Sequence, residues 1–234
     1  DDIASGRYKP KGYWPWDPLN HYTMGYQEDD YIVLYGRPKS KKSFVLAYII
    51  ACAIESDAQV LIYTKEMTPK NLLKRVAGFQ LDVPYQELRT GKLNPNQRDH
   101  LRHIESQAKS LRDKKNVVCL SAKDVASGGD TVSWLRAKVD RYKPDLVFVD
   151  GLYLMSPDGV RKNAAVHERM ENVSRATRNM VLDVKTPLIA TMQANRKAAQ
   201  HQNAELDEVA FSDSVSQDAT MLIRVIADKG QDTV

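Results

Sequence analysis

The chain has 234 residues, of which 42% are hydrophobic and 27% charged. That balance suits a folded globular protein and excludes collagen-like, coiled-coil and disordered classes. Its 34 basic and 30 acidic residues leave a net charge of +4, which alone does not mark a nucleic-acid binder, because that inference needs clustered charge.

The first 25 residues are rich in Pro, Gly and aromatics and follow neither the helical nor the strand period. They read as an extended linker or docking arm, with Trp14 and Trp16 expected to cover the chain's own sheet edge. From residue 26 to 234 the pattern is that of one domain. YIVLY (31 to 35), QVLIYT (59 to 64), NVVCLS (116 to 121), DLVFVD (145 to 150), PLIATM (187 to 192) and ATMLIRVIA (219 to 227) are β-branched, aromatic and apolar nearly throughout. Such runs predict strands buried on both faces. Between them, Thr68-Pro69 and Asn94-Pro95 place a capping residue before a proline at a helix start. Apolar side chains at helical spacing follow, in Leu101, Ile104, Ala108 and Leu111, and again in Val166, Met170, Val173, Thr177 and Met180. The alternation predicts an α/β fold: a mostly parallel sheet with helices on both faces.

The charge is unevenly spread. Residues 1 to 35 hold three basic against six acidic side chains (net −3), residues 36 to 200 hold 29 against 17 (+12), and residues 201 to 234 hold two against seven (−5). The longest apolar run, Phe44 to Ile54, is about half the ~20 residues of a membrane span, and no signal segment opens the chain. Cys52 and Cys119 each lie in an apolar stretch, which predicts buried thiols in a reducing, cytoplasmic setting. No membrane partner is expected.

The strongest chemical signal is GRPKSKKS, comprising Gly36, Arg37, Pro38, Lys39, Ser40, Lys41, Lys42 and Ser43, between the first strand and an apolar helix. In that position backbone N–H groups and the helix dipole cradle phosphates, Lys42 reaches the outer phosphates, and the Ser43 hydroxyl holds Mg2+. Lys41 stands where the G-x-x-x-x-G-K-[ST] pattern has glycine, which trades conformational ease for charge. DLVFVD ends in Asp150, a carboxylate at a strand C-terminus that would share the Mg2+ shell. Glu66 follows the second strand and is a candidate for polarising the attacking water. Gln193 closes the PLIATM strand, positioned to sense a γ-phosphate, with Arg196 and Lys197 close behind.

Taken in order, GRPKSKKS, IYTKEMTPKNLLKRVAG, DLVFVDGLYLM, SRATRNMVLDVKTPLIATMQANR and SQDATMLIRV resemble the RecA-like P-loop ATPase domain of DnaB-like replicative helicases, phage ones especially, over residues 31 to 224. The resemblance implies ATP and Mg2+ as cofactors and single-stranded DNA as substrate track. It also implies assembly as a ring, hexameric in that family, and a primase or helicase loader as a further partner. It maps a catalytic glutamate onto Glu66, followed by Met67 and Arg75, a γ-phosphate sensor onto Gln193 with Asn195 and Arg196, and a Gln-Asp-Ala pattern onto Gln217, Asp218 and Ala219. Thr220 departs from a second acid common there, and no basic KxRxG-like hairpin follows the last strand. DNA contacts are expected from loops 156 to 164 and 196 to 210, through Arg161, Lys162, Arg196 and Lys197. Two rivals remain: a recombination ATPase forming filaments, and a nucleotide-binding scaffold that no longer hydrolyses.

Overall fold

The structure, a computed structural model, describes residues 9 to 99, 102, 116 to 125, 129 to 159, 164 to 193 and 212 to 227. Six strands form one sheet: β1 (Tyr31–Gly36), β2 (Val60–Thr64), β3 (Val117–Ser121), β4 (Leu146–Asp150), β5 (Leu188–Gln193) and β6 (Met221–Arg224). Their order is β3-β2-β4-β5-β1-β6, and every pairing is parallel. All six fall inside or within one residue of the predicted runs, because a strand covered on both faces must be apolar nearly throughout.

Strand residues alternate between two cores. Tyr31, Val33, Leu61, Tyr63, Val147, Val149, Leu188 and Ala190 face one side. There they meet α5 (Val132–Tyr142), α6 (Val166–Val184) and Val215 of α7 (Ser212–Asp218). Ile32, Leu34, Val60, Ile62, Phe148 and Ile189 face the other, under α2 (Lys42–Glu55) and α3 (Pro69–Gln80), the latter followed by the short α4 (Tyr85–Thr90) packed against it. Each of the Val, Leu, Ile and Phe side chains among these, once withdrawn from water, contributes about 1.5–3 kcal/mol.

The helix-start signals act as expected. The Thr68 hydroxyl accepts from Asn71 N, with Pro69 in the first turn. Asn94 and Gln97 cap each other, backbone N–H to side-chain oxygen, at 2.8 Å both ways. Residues Leu101, Ile104, Ala108 and Leu111 lie outside the described residues. In α6, Met170, Val173, Thr177 and Met180 are buried as their spacing predicts, whereas Val166 in the first turn is 63% exposed.

Three expectations need correction. The N-terminal segment is not extended throughout, since Asp17–Thr23 forms the helix α1, with Pro18 in its first turn. Trp14 does not cover a sheet edge. It is buried in the α2-side core, tilted 54° against Tyr26 with ring centroids 4.6 Å apart, while Trp16 packs on Tyr48 of α2. Both cysteines are free, as predicted, but half-buried rather than buried. Burial first, then the charge of Asp124, pushes the Cys119 thiol up to about 12, so it stays unreactive at neutral pH. Among the described residues, no helix is long and apolar enough to cross a membrane.

Parallel strands all point one way, so Gly36, Thr64, Asp150 and Gln193 collect at one edge of the sheet. Gly36 pairs in register with Gln193, and Thr64 with Asp150. The crossover from β1 to β2 carries α2 over the intervening β5 and β4, which brings its N-terminus to that same edge.

Candidate nucleotide-binding and hydrolysis site

The phosphate loop forms without its usual glycine. Lys41 takes the left-handed conformation at φ 63°, ψ 21° and caps α2, and Lys39 is left-handed too at φ 68°. An L side chain there costs roughly 1 kcal/mol per residue, which is the conformational cost of replacing glycine while keeping the turn. Gly36 is needed for a different reason: a Cβ there would sit 2.5 Å from the Val225 carbonyl and 2.6 Å from Ser40 Oγ. Arg37, Pro38 and Lys39 form the exposed rim, while Ser40, Lys42 and Ser43 are buried beneath it. The Lys42 ammonium donates back into its own loop, to the carbonyls of Gly36 at 3.0 Å and Arg37 at 2.8 Å. Burial lowers its pKa, and the charges of Glu66 and Asp150 pull the other way.

Across the crevice, Asp150 is fully buried. Its Oδ1 accepts from Ser43 Oγ at 3.0 Å and from Thr191 Oγ1 at 2.9 Å. The Thr191 oxygen in turn accepts from Gly151 N at 2.9 Å. The second oxygen, Oδ2, is buried with no hydrogen-bond partner. Burial holds this carboxyl above its ordinary range, against the opposing pull of Thr191, Ser43, Arg75 and Lys42. A buried carboxylate oxygen without a partner is costly, and a cation shell next to the Ser43 hydroxyl would satisfy it. The donor set therefore fits Mg2+, with Ser43 and Asp150 as the residues that would hold it. Among the described residues no group of three His, Cys, Asp or Glu offers a separate metal site.

Glu66 leaves β2 beside this acid. The Lys65 and Glu66 amides both point at the Asp150 carbonyl, at 3.1 and 3.4 Å. A Cβ on Gly151, whose φ is +96°, would lie 3.5 Å from Glu66 Cβ. Glu66 opens onto the crevice. Partial burial, then the Asp150 charge, raise its pKa, while Lys42 and Arg75 draw it down. Arg75 of α3 lies over the Phe44 ring, 4.2 Å from its centroid, and its Nε is buried without a partner. Met67 packs against the α2-side core. Gln193 Nε2 donates to the Tyr153 hydroxyl at 2.7 Å. Burial, with the charges of Glu66 and Asp150 added, pushes Tyr153 up to about 12, so the phenol stays protonated.

The structure thus gathers Lys42, Ser43, Glu66, Asp150 and Gln193 at one edge of the sheet. Arg161, Lys162, Asn195, Arg196 and Lys197 lie outside the described residues. Asp218, by contrast, belongs to the far end of β1: its charge acts on Tyr31, the first residue of that strand. Beside it the Thr220 hydroxyl accepts from Tyr31 N at 3.0 Å. Three residues at the site escape sequence reading. Thr191 has a signal that could have found it, as the residue two before Gln193 on one strand face. Tyr153 lies in the 3-10 turn Leu152–Leu154 after Asp150, which carries no signal, and the aromatic seat of Arg75 needs tertiary packing.

An all-parallel sheet in this order, with a glycine-led loop between its first strand and α2 and an acid ending its central β4, has the RecA-like P-loop fold. The chain belongs to the DnaB-like helicase C terminal domain family, whose model matches residues 15–233. The replicative DNA helicase DnaB of Geobacillus stearothermophilus is 26% identical over 211 residues, covering 87% of this chain and 44% of that protein. DnaB of Buchnera aphidicola subsp. Baizongia pistaciae is 28% identical over 222 residues, 90% of this chain and 45% of its own. The chain therefore spans less than half the length of these curated relatives. One solved ATPase domain superposes with a TM-score of 0.78 at 21% identity, over 95% of this chain and 77% of that one. A DnaB-like replicative helicase, solved in work that also treats its interactions with primase, gives 0.77 at 20% identity, over 94% and 53%.

Proposed function

We propose that this chain is the ATP-hydrolysing motor domain of a replicative DNA helicase, which translocates on single-stranded DNA as a ring, hexameric like its family, and unwinds duplex DNA. The observation that carries the reading is the single crevice shared by the phosphate loop, the unpartnered Asp150 oxygen and Glu66. Membership of the helicase family supports the DNA half of it.

Within this reading, Lys42 exchanges its two loop carbonyls for the β- and γ-phosphates, whose negative charge opposes the lowering that burial imposes on its pKa. Ser43 and Asp150 would hold Mg2+, and the ion would supply charge neutralisation at the phosphoryl oxygens. Glu66 orients the attacking water and takes its proton, and a carboxylate held above its ordinary range is the better base for that step. Gln193 and Tyr153 face the same edge, and Gln193 ends the strand that leads into residues 196 to 210, so the presence of a γ-phosphate is passed to a DNA-contacting loop. Arg161, Lys162, Arg196 and Lys197 are the proposed phosphate-backbone contacts. Primase or a helicase loader is the proposed further partner, and the cytoplasm the proposed compartment.

Lys41 no longer argues for a hydrolysis-dead scaffold, because the loop keeps the left-handed turn without glycine. The test is ATP turnover with and without single-stranded DNA. DNA should raise turnover, and Lys42→Ala should lower it by about a hundredfold or more. DNA-stimulated turnover surviving in that variant would overturn the assignment. Electron microscopy with ATP and single-stranded DNA should reveal rings, whereas open filaments would point to a recombination ATPase.

A further inference from the structure

One buried ion pair lies outside the machinery just described. Lys65 Nζ sits 2.6 Å from Asp130 Oδ2 and donates to the Leu154 carbonyl at 2.6 Å, with 28% of the lysine side chain and 8% of the aspartate side chain exposed. The same Asp130 carboxylate accepts from Tyr63 Oη at 2.6 Å and from Ser156 Oγ at 2.8 Å, and its backbone carbonyl accepts from Ser156 N. Three further bonds extend the cluster: Asp158 accepts from the Ser133 amide and hydroxyl at the start of α5, and its own amide donates to Asn172 of α6. Asp130 and Lys65 together thereby join the end of β2, the turn after β4 and Ser156.

We infer that the Lys65–Asp130 pair is a positioning clasp, which fixes Glu66 beside Asp150 and ties it to the turn at residues 156 to 158. Lys65 immediately precedes Glu66 and is held from two directions, by its amide on the Asp150 carbonyl and by its ammonium on Asp130 and Leu154. A side chain anchored at both ends restricts the backbone angles that aim the next residue. Glu66 itself is exposed on the crevice and, among the described residues, is held by a 3.4 Å backbone contact to Asp150, so its position depends on its neighbour. Asp130 also holds Ser156, just past the turn after β4, which makes the clasp a mechanical link between the Glu66 carboxylate and that segment. The inference rests on the reading of Glu66 as the water-activating group.

Lys65→Met keeps the aliphatic stem and removes the charge. In the nucleotide-free chain, hydrogen exchange at the Lys65 and Glu66 amides and at the Ser156 amide should rise together, by about tenfold, while β1 and α2 stay protected. Turnover should fall by about ten- to a hundredfold with the affinity for a non-hydrolysable triphosphate changed less than about twofold, and Lys65→Arg should recover most of the loss. Asp130→Asn should give the same split. If that variant does not fold, Lys65→Met, at a partly exposed side chain, still decides. Faster exchange at Lys65 and Glu66 without Ser156 would overturn the link, and unchanged turnover, or equal loss of binding and turnover, would overturn the positioning role. A wild-type chain that hydrolyses no ATP would instead sink the reading of Glu66, while the exchange data would still report on the clasp.

Discussion

Asp130 and Asp150 are both buried, at 5% and 0% exposure, yet their surroundings treat them in opposite ways. Asp130 receives an ammonium, a phenol and a serine hydroxyl, and although burial alone would raise its pKa, those hydrogen bonds hold it below the ordinary carboxylate value. Asp150 receives two hydroxyls on one oxygen and nothing on the other, so burial prevails and its pKa is raised. A carboxylate with both oxygens hydrogen-bonded can hold a structure together, but it has little left to offer a ligand. One left half-satisfied costs stability in the empty protein and is available to a cation when the nucleotide arrives.

The contrast breaks most visibly under substitution. Asp130→Asn, which strips the counter-charge from Lys65, should destabilise the fold by about 2–3 kcal/mol at pH 7, less than for a fully buried pair because Lys65 is partly exposed. Asp150→Asn should abolish turnover and yet stabilise the empty protein by about 1 kcal/mol, each kcal/mol moving Tm by roughly 2–4 °C in a domain of this size. Thermal unfolding of both variants checks this, and destabilisation of comparable size in both would erase the distinction.

Acidity sharpens the comparison, because the two signs differ. The folded pKa of Asp150 is raised, so the stability linked to it is present below the ordinary value of 3.8 and lost as pH climbs through the higher folded value. The advantage of Asp150→Asn should therefore shrink as pH falls from 7 toward 4. The folded pKa of Asp130 is lowered, so its contribution is present above 3.8 and lost as pH falls through the folded value. The cost of Asp130→Asn should hold down to about pH 4 and fade only below it. Unfolding midpoints across pH 3 to 7, measured for both variants against wild type, should therefore diverge in opposite senses.

The smallest effect concerns Lys41. Lys41→Gly releases a left-handed side chain, worth roughly 1 kcal/mol, against the greater freedom of glycine in the unfolded chain. A net gain of a few tenths of a kcal/mol in Tm-derived stability is expected. A loss of 1 kcal/mol or more would mean that the lysine side chain makes a contact of its own.

The same two aspartates mark how far the sequence can be read. Asp150 is legible because an apolar strand ending in an acid has a fixed place in a parallel sheet, downstream of a phosphate loop. Glu66 and Gln193 are legible for the same reason, since parallel strands deliver their C-terminal residues to one edge. Asp130 carries no such signal. It precedes a helix in a stretch of Gly and small residues, and its partners come from β2, from the 3-10 turn and from residue 156, which only the folded chain brings together. Trp14 defeats the reading for a related cause: an aperiodic, proline-rich segment says nothing about which core its aromatics enter. The helix α1 also escapes, because seven residues around Pro18 are too few for a 3.6-residue period to show.

The central claim is that Glu66 serves hydrolysis and not binding. ATP turnover by wild type and Glu66→Gln, in Mg2+ with and without single-stranded DNA, should be measured beside the affinity of each for a non-hydrolysable triphosphate. The account predicts affinities within a few-fold of each other and a loss of turnover of about a hundredfold or more in the variant. Turnover within about twofold of wild type, with DNA stimulation intact, would contradict it.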